Sequence, residues 1–241
     1  MDKFELLKEE QHLDYTLKIL SVEILNSIEK RKAIADYILD YRKKFIEEYK
    51  DDEDKLIEYF DHERYVKEQM YTTIDRRLSE YTKLKESPYF GKVTFVEEGD
   101  GEEIYIGRYG LTSENEQEPV IIDCRAPVSE LFYKGVLGQT EYTSPQGKVP
   151  VEILQRRQLI TKKGKLEGCF DSEVDVTDDI LQMVLSSNAG EKLKDIVMTI
   201  QKEQDEIIRE ERMKAIVVNG VAGSGKTTIA LHRVAYLLYN Y

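Results

Sequence analysis

Tryptophan is absent from the 241 residues, and cysteine occurs only twice, at Cys124 and Cys169, with no CxxC pair and no histidine close by. Two isolated thiols build neither a disulfide framework nor a zinc site, and they read as the reduced thiols of a cytoplasmic protein. No apolar run approaches the roughly 18 residues of a membrane span, and no basic start leads into a hydrophobic stretch. Neither a membrane segment nor a secretory leader is therefore expected. Basic charge is also scarce: the net charge of −12 argues against a broad surface that coats nucleic acid and leaves room only for a local basic patch.

Glycine and proline are missing from the first 86 residues, where Pro88 is the first proline and Gly91 the first glycine. With no breaker, hydrophobic spacing decides the structure. Leu13, Leu17, Leu20 and Ile24, then Ile34, Ile38, Tyr41 and Phe45, alternate in steps of three and four, with Ser27 and Arg31 interrupting the seam. Phe60, Tyr71, Ile74, Leu78 and Tyr81 form a comparable stripe. The pattern predicts an antiparallel coiled-coil hairpin over 1–87, projecting from the body as an arm with a reach of roughly 60 Å.

The turn of that hairpin concentrates charge. From Glu47 to Glu63 there are nine acids and two bases. Such a run is either a solvated loop or a probe whose carboxylates, Asp51, Asp52, Glu53 and Asp54 among them, meet a basic channel or a bound Mg²⁺.

Residues 88–172 read as a mainly antiparallel β region. Lys92–Glu97 and Glu102–Gly107 alternate around Gly99-Asp100-Gly101, and 149–160 and 165–170 flank Thr161-Lys162-Lys163-Gly164, two hairpin signals. Arg156, Arg157, Lys162, Lys163 and Lys165 make this second hairpin the most basic stretch of the chain. It is either a lysine-protected edge or a phosphate contact. Val120-Ile121-Ile122-Asp123 imitates a strand ending in a metal-binding carboxylate, but it precedes the phosphate loop described next. Its aspartate is expected to pair with Arg125 instead. Two helices, 178–186 capped by Thr177 and 191–200, then lead toward the C-terminus.

The last part of the chain carries the sharpest motif. Gly220-Val221-Ala222-Gly223-Ser224-Gly225-Lys226-Thr227 fits G-x-x-x-x-G-K-[ST], placed after the apolar run Ile216–Val218 and before a helical pattern that starts through Thr228. Gly220, Gly223 and Gly225 allow main-chain N–H groups to close round phosphate oxygens, Lys226 brings a charge to the β/γ-phosphates, and Thr227 offers a hydroxyl to Mg²⁺. Upstream lies IQKEQDEIIR, with Gln204.

IQKEQDEIIR followed by GVAGSGKTTIALHRVAYLL resembles the Q-motif and motif I of superfamily 1 helicases of the UvrD type. The resemblance implies ATP as the nucleotide, with Gln204 reading the adenine edge. SPYFGKVTF, YIGRYGL, VIIDCRAPVSELFY and LSSNAGEKLKDIVMTIQKEQDEIIR, following a helical arm, resemble more specifically the HelD family of helicase-like factors that bind bacterial RNA polymerase. Cys124 stands where that pattern usually carries tryptophan. The resemblance implies an arm that enters the secondary channel of RNA polymerase with its acidic tip near the active-site Mg²⁺, and a motor that uses ATP to release and recycle the polymerase.

The fold expected is α+β: the arm, the β region, and over 173–241 helices feeding the first β-loop-α unit of a RecA-like lobe. Only 15 residues follow Lys226. Phosphoryl transfer needs further groups to hold Mg²⁺ and orient water, so the chain is expected to be the N-terminal part of a larger ATPase, inactive alone, with nucleic acid as a partner of the full-length protein. Two alternatives stand beside this: part of a UvrD-like DNA helicase in repair or recombination, and a non-enzymatic interaction module whose phosphate loop is a remnant.

Overall fold

The computed structural model describes residues 3–49, 62–113, 118–134, 137–171, 202–210, 215–221 and 223–240. Helix α1, Lys3–Tyr49, runs unbroken for 47 residues, as expected of a stretch without glycine or proline. Helix α2, His62–Glu86, packs along it. The pairing is antiparallel, because Arg31 meets Asp75 at 2.6 Å while Arg42, farther along α1, meets the earlier Glu68 at 2.9 Å.

The two halves of α1 differ. Up to Ser27 the helix buries Glu9, Leu13, Thr16, Leu20, Glu23 and Ser27. Past Ser27 none of its residues is buried, and the expected seam residues Ile34, Ile38, Tyr41 and Phe45 are half-buried. Two helices alone cover only one stripe of each other, whose edges remain wet. Tyr37, Tyr41, Phe45 and Tyr49 stack in succession at 6.4, 6.3 and 4.9 Å between ring centroids, lining that half with an aromatic ladder. At 1.5 Å per residue α1 is about 70 Å long, and roughly half of that lies beyond Ser27. The arm is thus shorter than its sequence suggests, because its first half is part of the body. The acidic turn with Asp51, Asp52, Glu53 and Asp54, and Phe60, lie outside the described residues, as do Thr177 and the two helices expected over 178–200.

The body is a six-stranded mixed sheet: β1 (Gly91–Glu97), β2 (Asp100–Gly107), β3 (Ile122–Asp123), β4 (Gly138–Ser144), β5 (Gly147–Lys162) and β6 (Lys165–Asp171). The order is β3-β2-β1-β5-β4, with β6 also pairing β5. All pairings are antiparallel except β2 with β3. The first hairpin turns at Glu98-Gly99, one residue earlier than the glycine spacing suggests, with φ of 52° and 98°. The second turns at Lys163-Gly164, with φ of 49° and 69°. Both are two-residue turns with two positive φ values, whose twist matches that of the strands they join.

Strand β5 is the axis of the sheet. One side pairs with β1, and the other takes β4 along its first part and β6 along its last. Thr94 pairs with Gln155 but Phe95 with Ile153, so Leu154 is an extra residue, a bulge. The bulge reverses which residues of β5 face which way. Before it, Val151 and Ile153 join Val93, Phe95, Ile106 and Leu131 in a core under helix α3, Glu130–Lys134. After it, Arg157 and Leu159 point to the other face, where Leu159 joins Leu13, Leu20, Tyr81, Leu84 and Tyr105 beneath the foot of the arm.

At the C-terminal end, α4 (Lys202–Arg209) packs on α5 (Lys226–Asn240), with Ile208, Ile229 and Tyr236 buried between them. The run Ile216–Val218, expected as the strand before the phosphate loop, is not a strand, and Val217 is 86% exposed. A strand exists through its ladder, and no described strand lies beside this run. A RecA-like lobe is accordingly not formed by the described residues.

Candidate functional site

Two joints attach functional elements to the sheet. The first fixes the arm. Glu9, with its side chain fully buried, accepts hydrogen bonds from Lys92 Nζ, Arg157 Nη1 and Tyr105 Oη, each at 2.9 Å. Lys92 also meets Glu103 at 3.0 Å, while Arg157 donates to Asp171 at 2.7 Å and to Glu5 at 3.0 Å. A buried carboxylate is tolerated only when its lone pairs are filled. Glu9 meets that condition with donors from three strand positions on one face. His12, one turn on, stacks on Tyr105 at 3.6 Å and 8°. Burial drives its pKa down to about 4 against the pull of Glu9 and Glu103, so the ring is neutral at pH 7.

The second joint holds the C-terminal helices. Asp123 sits at the end of β3 and accepts from the Arg125 backbone N–H and Nε, each at 2.8 Å, so its carboxylate is engaged locally as the sequence suggests. The turn it forms exposes two carbonyls to Arg209, which donates to Cys124 O at 2.9 Å and Ala126 O at 3.2 Å. Arg209 also pairs with Asp205 at 2.8 Å and lies over the rings of Tyr133 and Tyr236 at 5.5 and 5.3 Å. Burial raises the Asp205 pKa, with Arg209 opposing. Arg233 donates to the last carbonyls of α4, Ile207 and Ile208, and Asn240 Nδ2 reaches Arg125 O at 3.3 Å. Burial pushes both the Cys124 and Cys169 thiols up to about 11, which leaves them poor nucleophiles.

The glycine-rich loop opens α5. Gly223 and Gly225 take φ of 85° and 81°, angles that a side chain resists, and a Cβ on Gly220 would fall 2.5 Å from Ser224 Oγ. Lys226 Nζ donates to the carbonyls of Gly220 and Val221 at 2.9 and 2.7 Å, so the loop curls round its own ammonium. The first helical bond runs from Ile229 N to Gly225 O, leaving the N–H groups of Lys226, Thr227 and Thr228 in the orphaned first turn. Gln204 Nε2 lies 3.5 Å from the position of a Cβ on Gly225, so α4 delivers this glutamine to the loop's edge. Thr227 and Thr228 are exposed, and Ala222 lies outside the described residues. These features fit a triphosphate. Among the described residues no group of three His, Cys, Asp or Glu gathers to hold a metal, so a Mg²⁺ at Thr227 would need the oxygens of a nucleotide.

Residues 7–184 match the family described as DNA helicase IV HelD, N-terminal domain. The chain belongs to the HelD family. No curated protein matches it. The HelD match spans the arm, the sheet and the turn at Asp123, and it ends before Gln204 and the glycine-rich loop. Membership therefore rests on the arm and its seat, while the loop is a separate observation in a part of a HelD helicase. No described helix is long and apolar enough to cross a membrane.

The basic hairpin needs correcting. Arg156 and Arg157 are not surface cations: Arg156 donates to Phe132 O at 3.0 Å and Arg157 locks Glu9. Their strand, β5, is central rather than an edge. The arm joint and Arg209 escaped sequence reasoning. Glu9 and Arg157 are 148 positions apart, and nothing local marks either as a partner.

Proposed function

We propose that this chain carries the polymerase-engaging arm and the nucleotide cradle of an ATP-driven motor that releases and recycles RNA polymerase. The observation that carries the reading is α1 itself. One unbroken helix is locked into the sheet through Glu9 over its first half and runs beside α2 over its second, with Tyr37 donating to Glu63 and Lys67 lying over the Tyr37 ring. A stiff lever with a fixed root suits insertion into a channel, where an acidic tip at Asp51–Asp54 would meet basic walls and the catalytic Mg²⁺. At the other end, Gly220–Thr228 would hold the phosphates of ATP, Lys226 exchanging its two carbonyl partners for phosphate oxygens, and Gln204 would face the adenine. Hydrolysis needs groups that hold Mg²⁺ and orient water as well as a phosphate loop, and the 241 residues alone are expected to show no turnover.

The test is capture of purified RNA polymerase by the full-length protein, with and without charge reversal of Asp51, Asp52, Glu53 and Asp54. Binding or release that is lost on reversal supports the reading. Failure of the full-length protein to bind polymerase at all removes it. The family's description as a DNA helicase favours a second reading, DNA unwinding in repair or recombination. Strong stimulation of the full-length ATPase by single-stranded DNA, with no response to polymerase, would select it. Activity retained in a Lys226→Ala full-length protein would instead select a non-enzymatic interaction role.

A further inference from the structure

A cavity of about 460 Å³ opens at the foot of the arm, between the end of α2, the residues after β2 and the end of β5. None of the glycine-rich loop lines it. Its charge is opposite to that of the chain: Lys83, Arg108, Lys162 and Lys163 line it with one acid, Glu86, on a protein whose net charge is −12. Among the described residues, no carboxylate forms an ion pair with any of the four cations. Lys83 and Arg108 instead flank Tyr109, at 5.6 and 5.8 Å from its ring centroid. The hairpin that carries Lys162 and Lys163 is pinned in place, since Gly164 N donates to Glu86 O at 3.3 Å.

A second observation narrows the ligand. Gln158 lines the same cavity, is 4% exposed, and among the described residues its Oε1 accepts no hydrogen bond. A buried carbonyl without a donor is costly, by about 1–3 kcal/mol in general. Four cations without a carboxylate partner among the described residues suit a phosphate, which has no N–H to give Gln158. A ligand that carries both an anion and an N–H donor answers both features, and the volume matches small-molecule sites. We propose that this cavity is a second nucleotide site, taking a nucleoside phosphate with its phosphate on the lysines and Arg108, and a base N–H on Gln158 beside the Tyr109 ring. The nucleotide comes either free or as one residue of a single strand.

The experiment uses the 241-residue chain carrying Lys226→Ala throughout, so that the glycine-rich loop contributes no binding and the fate of that loop is tested separately. Calorimetric titrations compare AMP and GMP, inorganic tripolyphosphate and a short oligonucleotide. Saturable binding of a mononucleotide is expected, weakened at least about tenfold by Lys162→Glu with Lys163→Glu, two changes at a hairpin end. Gln158→Leu is expected to leave tripolyphosphate unchanged and to reduce the preference for nucleotide by about tenfold. Unchanged urea midpoints establish that each variant is folded. Tighter binding of the oligonucleotide than of the mononucleotide assigns the strand as source, and equal binding assigns the free nucleotide. Absence of nucleotide binding, indifference to reversal of the lysines, or tripolyphosphate binding as tightly as nucleotide would each overturn the proposal.

Discussion

The arm's root and the C-terminal helix pair are each fastened to the body by an arginine, yet the fastenings differ in kind. Arg157 lies inside a core that includes Leu13, Leu20, Tyr81, Leu84 and Leu159, and its partners come from helix and strands alike. Arg209 grips two backbone carbonyls over a core that, among the described residues, has three buried members, Ile208, Ile229 and Tyr236. The other face of α5 is open, with Leu231, Val234 and Leu238 between 55 and 80% exposed. The contrast teaches that the arm is rooted through several elements at once, whereas the helices of the glycine-rich loop are held mainly at one turn, by Arg209 and Asn240.

The largest expected effect breaks the first joint. Arg157→Ala leaves Glu9 buried without its second cation and should cost about 3–5 kcal/mol, read as a lower urea midpoint. An equal loss in a Glu9→Ala, Arg157→Ala double variant and in the single variants would show that the pair acts as a unit. An Arg157→Ala variant as stable as wild type would mean that the apolar core alone roots the arm.

Arg209→Ala should cost about 1.5–3 kcal/mol, but locally. Hydrogen exchange is expected to quicken over 202–209 and 226–240 while protection in α1 and β5 stays unchanged. Equal loosening of the arm would erase the distinction between the joints.

Acid should sharpen it further. The folded pKa of His12, about 4, lies below the unfolded value of 6.5, so between them the unfolded chain binds the extra proton. Stability is whole above about pH 6.5 and falls as pH drops, by roughly 1–2 kcal/mol at pH 5. His12→Phe should flatten that part of the profile of the melting temperature. The smallest effect on folding is that of Lys226→Ala, whose partners are loop carbonyls. The melting temperature should hardly move, while ATP binding by the full-length protein is lost.

Legibility from the sequence follows the range of the interaction. The long helices α1 and α2, both forecast hairpins and the Asp123–Arg125 pair arise within a few residues, from absent breakers, positive-φ turns and adjacent charges, and they are as expected. The hairpin of β4 with β5 was not foreseen, because Ser144-Pro145-Gln146-Gly147 lies between strands that alternate weakly. Glu9 reads as one more polar position of α1, and only folding shows that its turn of helix faces Lys92 and Arg157. The loop glycines were plain from spacing, but the missing strand before them was not. An apolar run such as Ile216–Val218 specifies a strand only when a neighbour is there to pair with it.

The added residue in β5 has a consequence for how such a molecule can change. Drawing Leu154 into the ladder as an ordinary paired residue would leave the sheet intact, yet shift every later residue of β5 by one place and turn Arg157 toward α3 and away from Glu9. Sheet and lever are thus separable under drift: the platform can survive a one-residue slip that unhooks what stands on it.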